Sequence, residues 1–444
     1  MTSPRTLWCE HAQLPTKVQW GVRLTIEGSR ITVIEERVQS REGDARLRGV
    51  TLPGFANAHS HVFHRALRGR THAGGGTFWS WRDEMYAVAR GLDPDSYLAL
   101  ARAVFLEMLA AGYTTIGEFH YLHHGAGGQR YDDPNAMGRA LIQAAQDVGV
   151  RLTLLDTCYL HGGLSAQGHL SLDEVQERFT DGDVEGWATR VADLEDAPGV
   201  RIGAAAHSVR AMTPRELNEF GEVTVDRTIH AHVSEQPAEN LAAQGFYGRT
   251  PMDILGDAGL LDENFTAVHA THLCERDLKI LEASGAGVCL CPTTERDLAD
   301  GVGPAREFQR FGIPMSLGSD QHAVMDVFEE MRAVEMHERL LSHERGHFAP
   351  AELLRMATIN GHRALGWADC GEIAVGREAD LVTVRDDTRR TAGVEPNQLV
   401  FAAGAPDITD VVVGGRHLVH GGVHDLGPVD DFVNEAMTML RERR

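Results

Sequence analysis

Lysine is almost absent from this chain: Lys17 and Lys279 are the only two in 444 residues, and nearly all of its positive charge is arginine. The six cysteines, Cys9, Cys158, Cys274, Cys289, Cys291 and Cys370, show no CxxC pairing, which excludes a thiolate zinc knuckle and predicts reduced thiols. No run of eighteen apolar residues occurs, so no membrane-spanning helix is expected. The segment Met1 to Pro15 lacks a basic start followed by an apolar stretch, so the expected compartment is the cytoplasm. Positive charge is short overall. The net charge of −22 excludes a nucleic-acid backbone as partner, because binding one needs cationic surface that displaces counterions. It also repels anionic metabolites, so a carboxylate substrate would need arginines or histidines placed locally in its pocket.

What is present reads as two layers of organisation. From Leu7 to about Val50, short alternating stretches such as Val18 to Ile26 and Ile31 to Val38 are separated by glycine and charged turns, the pattern of antiparallel strands. After Thr51 the rhythm changes to apolar runs alternating with amphipathic segments. Eight candidate strands follow: Leu52 to His59, Thr114 to His120, Arg151 to Tyr159, Arg201 to His207, Thr228 to Val233, Ala267 to Thr271, Gly287 to Cys291 and Met315 to Ser319. Eight strand–helix units predict an α/β fold, a closed (β/α)8 TIM barrel over residues 52–369. Near Cys370 short strands return at Gly371 to Val375, Ala379 to Val384, Ile408 to Val413 and Arg416 to His420. Residues 1–51 and 370–426 are therefore expected to form one small β-sandwich, since each end alone has too few strands to close a core. Residues 427–444 are expected to form a C-terminal helix, and the glycines Gly74 to Gly76 a mobile loop.

Chemistry concentrates at the ends of the predicted strands. His59 and His61, two apart on the first, share a face and can point at one ion. His232, His269 and Asp320 end the fifth, sixth and eighth, and a barrel gathers such strand ends into one mouth. His230 and His272 are expected to pack rather than to ligate.

The order HxH, His, His, Asp resembles the amidohydrolase superfamily. Its binuclear members use a lysine on the fourth strand, where neither lysine of this chain can lie, so one metal is expected. The resemblance implies that His59, His61, His232 and Asp320 hold a single divalent ion while His269 assists the attacking water. Zinc suits such nitrogen and oxygen donors, and iron or manganese would also fit. The HxxE motif His232 to Glu235 implies that Glu235 carries a proton to the leaving nitrogen.

Phe78 to Tyr86, Gly117 to His124, His207 to Pro214, His232 to Gln236 and Val268 to His272 are similar to the formimidoylglutamate deiminases of histidine breakdown. That likeness implies hydrolysis of the amidine of N-formimidoyl-L-glutamate to N-formyl-L-glutamate and ammonia. It implies further that Arg82, Tyr121, His207 and Arg210 recognise the two carboxylates, and that the enzyme is a homodimer. For Arg82 and Arg210 the competing expectation is an ion pair with a nearby acid such as Asp83 or Glu84.

Two departures bear on the substrate. His64 stands in Phe63-His64-Arg65 where the family has Phe-Gln-Arg, and Thr293-Thr294-Glu295-Arg296-Asp297 replaces Ser-Thr-Glu-Ala-Asn. A deaminase of an aminopurine or pterin ring, with Trp79 and Trp81 as aromatic walls, remains an alternative. So does a deiminase of another N-formimidoyl amino acid. A non-enzymatic binding barrel is disfavoured, because all four ligands and Glu235 are present.

Overall fold

A computed structural model describes residues 5–72 and 78–442, with side chains from Trp81 onward in the second span. The glycine cluster at 74–76 and the side chain of Trp79 lie outside what is described. Strands β1 (Arg5–Leu14), β2 (Lys17–Glu27), β3 (Arg30–Glu35) and β4 (Ala45–Pro53) open the chain. Alternation drives them: Leu7, Cys9, Val22, Leu24 and Ile26 point inward.

The barrel follows as β5 (Phe55–Ser60), β6 (Tyr113–His120), β7 (Arg151–Cys158), the hairpin β8 (Gly163–Ser165) and β9 (Gly168–Leu170), then β10 (Val200–Ala206), β11 (Ile229–Val233), β12 (Phe265–His269), β13 (Gly287–Leu290) and β14 (Met315–Leu317). Apart from the hairpin these run parallel in the order β5-β6-β7-β10-β11-β12-β13-β14. The ring closes just past the strand ends, where the Asp320 N–H donates to His59 O at 3.0 Å and the His61 N–H to Asp320 O at 3.1 Å. This is a (β/α)8 barrel, as the sequence predicts.

The chain ends in β15 (Leu381–Val384), β16 (Ile408–Val413), β17 (Arg416–His420), β18 (Val423–His424) and the helix Val429–Glu442, which packs on the barrel helix Pro94–Ala110. Strands from both ends join one eight-stranded sheet, because β4 pairs with β1 on one side and with β15 on the other. The sheet folds over itself: Ile31 N–H reaches Arg377 O at 3.0 Å and Ala379 N–H reaches Ser29 O at 2.7 Å. Leu7, Val22, Leu24, Ile31, Leu381 and Val412 form its separate core.

Two expected strands change. Leu52 to His59 is not one strand but the end of β4 and the start of β5, split at Gly54, whose N–H bonds Asp380 O at 2.8 Å. A Cβ there would lie 2.4 Å from Thr114 Oγ1, so only glycine lets the chain pass between the sheets. Gly371 to Val375 forms no strand; Gly371 adopts a left-handed φ of 87°, and Ile373 is buried without ladder partners.

Candidate active site

His59 projects from β5 and His61 follows its last residue, His232 projects from β11, His269 ends β12, and Asp320 follows β14. Gly318 makes the closure possible, since a Cβ at that position would sit 2.8 Å from both Cβ and O of His59. The turns that leave the strands are strained. Ser234, His269, Ala270 and Asp320 all take positive φ, from 43° to 66°, although none is glycine. Such conformations persist where the surrounding structure over-determines them, as at a functional mouth.

The expected ligands converge. His59 Nε2 lies 3.3 Å from His232 Nε2 and 3.4 Å from Asp320 Oδ1, and His61 Nε2 is 3.4 Å from the same oxygen. Two rings are turned by backbone carbonyls: His61 Nδ1 donates to Phe119 O at 2.9 Å and His232 Nδ1 to His207 O at 3.1 Å, so both Nε2 lone pairs face inward. Burial depresses the His59 pKa to about 3 and holds His61 and His232 below the ordinary imidazole value. Burial alone would raise Asp320, but the hydrogen bond from His59 and the surrounding imidazoles leave it well below the usual carboxylate range. Neutral imidazoles around an ionised carboxylate are what a divalent cation requires of its ligands, so the donors fit one such ion. Neither lysine approaches: Lys17 lies on β2, and Lys279 pairs with Glu275 on an outer helix.

His269 sits beside this set. Its Nε2 is 3.8 Å from Asp320 Oδ2 and 3.9 Å from Glu235 Oε1, while Nδ1 is 3.5 Å from Glu295 Oε1. Burial lowers its pKa, yet Glu295, Glu235 and Asp320 together lift it to about 10. Glu295, whose Oε1 also accepts the Cys291 N–H at 2.9 Å, was not singled out by the sequence. Nor was Glu118, fully buried, which accepts from Ser60 Oγ at 2.6 Å and from Val62 N–H at 2.7 Å and so braces both flanks of His61. Burial, only partly offset by those bonds, raises its pKa to about 8.

A cavity of 420 Å³ opens above the ligands, and Arg82, Tyr121, His207, Arg210 and His64 all line it. His64 Nε2 lies 2.9 Å from the Tyr121 hydroxyl, so the residue that departs from the family pattern is engaged within the wall. Arg82 reaches Asp173 at 3.5 Å. Arg210 meets two acids that are distant in sequence, Glu235 at 3.0 Å and Glu239 at 3.7 Å. Elsewhere, His230 and His272 hydrogen-bond the carbonyls of Ala364 and Asp300, each at 2.7 Å, as packing residues do. Two other groupings of possible donors, around Asp156 and Asp380, are occupied by Arg190 and Arg151.

The amidohydrolase family matches residues 50–418 of the chain. Formimidoylglutamate deiminase of Pseudomonas aeruginosa is 34% identical over 94% of this chain and 95% of that protein. The 8-oxoguanine deaminase of the same organism is 28% identical over 85% and 84%. Among solved structures, an amidohydrolase from Brucella melitensis superposes with a TM-score of 0.89 at 31% identity, covering 98% of this chain and all of that one.

Proposed function

The chain belongs to the amidohydrolase family, and from that premise we propose that it hydrolyses the amidine of N-formimidoyl-L-glutamate to N-formyl-L-glutamate and ammonia. The observation that carries this reading is that Arg82 and Arg210 line the same cavity as Glu235 and three of the four expected metal ligands, His61, His232 and Asp320. A dicarboxylate in a chain of net charge −22 needs cations exactly at its own subsite, and a guanidinium fork binds carboxylate through two parallel hydrogen bonds. Tyr121 and His207 add donors on the same wall.

His59, His61, His232 and Asp320 would hold a divalent ion, zinc suiting those donors, which when bound would supply Lewis-acid activation of water. Asp320 Oδ2, facing His269 Nε2 at 3.8 Å, takes up the proton of the attacking water, and His269 orients it. Glu235 delivers a proton to the imino nitrogen. As the carbon–oxygen bond forms at the formimidoyl carbon, the carbon–nitrogen π bond opens onto the imino nitrogen, which takes the Glu235 proton. The new hydroxyl then returns a proton to Glu235 as the carbonyl forms, Asp320 passes on its water-derived proton to the same nitrogen, and the carbon–nitrogen bond breaks to release ammonia. The substrate's other nitrogen stays bonded to carbon as the formamide.

Ring deamination is the second reading, favoured by the cavity's aromatic lining of Trp81, Tyr86, Tyr121 and Tyr159 and by the 8-oxoguanine deaminase relative. An ammonia-release assay separates the two. N-formimidoyl-L-glutamate is expected to give the highest kcat/KM in a panel with N-formimidoyl-L-aspartate, aminopurines and aminopterins. A purine or pterin turned over faster would replace the proposal.

A further inference from the structure

Tyr159 follows directly on β7, lines the cavity beside Arg210 and His207, and is buried. Its hydroxyl receives a hydrogen bond from Gln176 Nε2 at 2.9 Å. The orientation of that amide is fixed by two backbone groups whose roles cannot be exchanged. Gln176 Oε1 accepts from the Asp173 N–H at 3.0 Å, and Gln176 Nε2 donates to Gly162 O at 3.1 Å. A backbone N–H can only donate and a carbonyl only accept, so the nitrogen must face the tyrosine. The Tyr159 oxygen is therefore an acceptor toward Gln176, and its single proton is left to donate elsewhere. Among the described residues the hydroxyl has no second hydrogen-bond partner. A buried donor without an acceptor costs free energy, which a ligand's oxygen would recover.

The surroundings indicate which oxygen. Burial pushes the hydroxyl's pKa up, and the positive charges of Arg210 and Arg82 pull against that rise, so the group lies within the field of both cavity arginines. The His207 ring meets the tyrosine edge to face, with centroids 4.5 Å apart and planes 67° to one another. We propose that Tyr159 is a specificity-determining residue whose hydroxyl, aimed by Gln176, donates a hydrogen bond to a substrate carboxylate held by the cavity arginines. This rests on the reading that a dicarboxylate enters the cavity. It adds a neutral, directed donor to the charged ones, and a neutral donor with a fixed vector discriminates by geometry where a guanidinium attracts by charge.

The test compares the metal-loaded wild-type enzyme with Tyr159→Phe, which removes one oxygen and keeps the ring packing. Calorimetric titration with glutarate is expected to show about tenfold or weaker affinity in the variant, the range for a lost hydrogen bond to a charged group. KM for N-formimidoyl-L-glutamate should rise in parallel while kcat stays within about twofold, a split that a loosened fold would not produce. Wild-type turnover combined with unchanged glutarate affinity and KM in Tyr159→Phe would overturn the tyrosine assignment and leave the function standing. Glutarate binding that weakens in the variant, with no turnover of the formimidoyl compound by wild type, would do the reverse. Absence of glutarate binding to the wild-type enzyme would also overturn the assignment.

Discussion

Arg210 Nη2 lies 3.0 Å from Glu235 Oε2, so the guanidinium proposed to bind substrate is held, before substrate arrives, by the carboxylate proposed to move the proton. Glu239, buried and 3.7 Å from Arg210 Nε, supports the same guanidinium from the other side. A substrate carboxylate entering the cavity must compete with Glu235 for that cation. Binding and proton transfer are thereby linked through one side chain.

That link makes Arg210→Met informative. If Arg210 binds the substrate carboxylate, KM should rise about tenfold or more, the effect of losing charge-assisted hydrogen bonds. Were its only task to orient Glu235, kcat would fall with KM unchanged, and steady-state kinetics on purified variant would show it. Arg82→Met, which loses the pairing with Asp173, is expected to raise KM in the same way.

Glu235→Gln keeps the shape of the side chain and removes its ability to carry a proton. The expected loss is at least about a hundredfold in kcat, the low end for a positioned acid–base group. Continuous ammonia release gives the value, and near-normal turnover would take Glu235 out of the mechanism.

Glu295→Gln tests the acid behind His269. With Oε1 3.5 Å from Nδ1, Glu295 favours the imidazole orientation that presents Nε2 to Asp320 and Glu235. Loss of such an orienting carboxylate typically costs about ten- to a hundredfold in activity. The drop is expected in kcat and not in KM, because Glu295 does not line the cavity.

Glu235 could be read from its likeness to the family's HxxE motif, and the convergence of His59, His61, His232, His269 and Asp320 was legible because a two-residue strand period and a barrel's habit of gathering strand ends are both written in sequence spacing. Glu295 was not, since its approach to His269 depends on how the short helix Pro292–Asp297 is set after β13. The left-handed turns at His269 and Asp320 were equally hidden, as neither residue is the glycine that usually marks such a conformation. In the second sheet the strands could be read but not their partners. Pairing of β4 with both β1 and β15 follows from chain closure in space, and the break at Gly54 from the approach of Thr114 and Asp380.

Stability should hinge on Arg190. Buried beneath the barrel wall, it bonds Asp156 at 2.7 Å and Asp181 at 2.9 Å, and His124 adds a bond to Asp181 at 3.0 Å. Removing one partner of a buried pair strands the opposite charges, so Arg190→Met is expected to cost about 3–5 kcal/mol in thermal unfolding. The pH dependence should change sign as well. In the native protein burial alone would raise Asp156, but the Arg190 guanidinium brings it down to about 2. A depressed carboxylate contributes stability that is fully present above its ordinary pKa of about 3.9 and is lost as pH falls through the folded value. Native Tm from this group should therefore hold between pH 7 and 5 and fall between about 4 and 2. In Arg190→Met the largest opposing charge is gone and only the Trp187 Nε1–H at 2.9 Å and the nearby His123 and His120 still act against burial. The pKa is expected to rise above the unfolded value, so acidifying from pH 7 toward 5 should raise Tm. A variant whose Tm holds level from pH 7 to 5, as that of the native protein should, would show that Asp156 is not held ionised by Arg190.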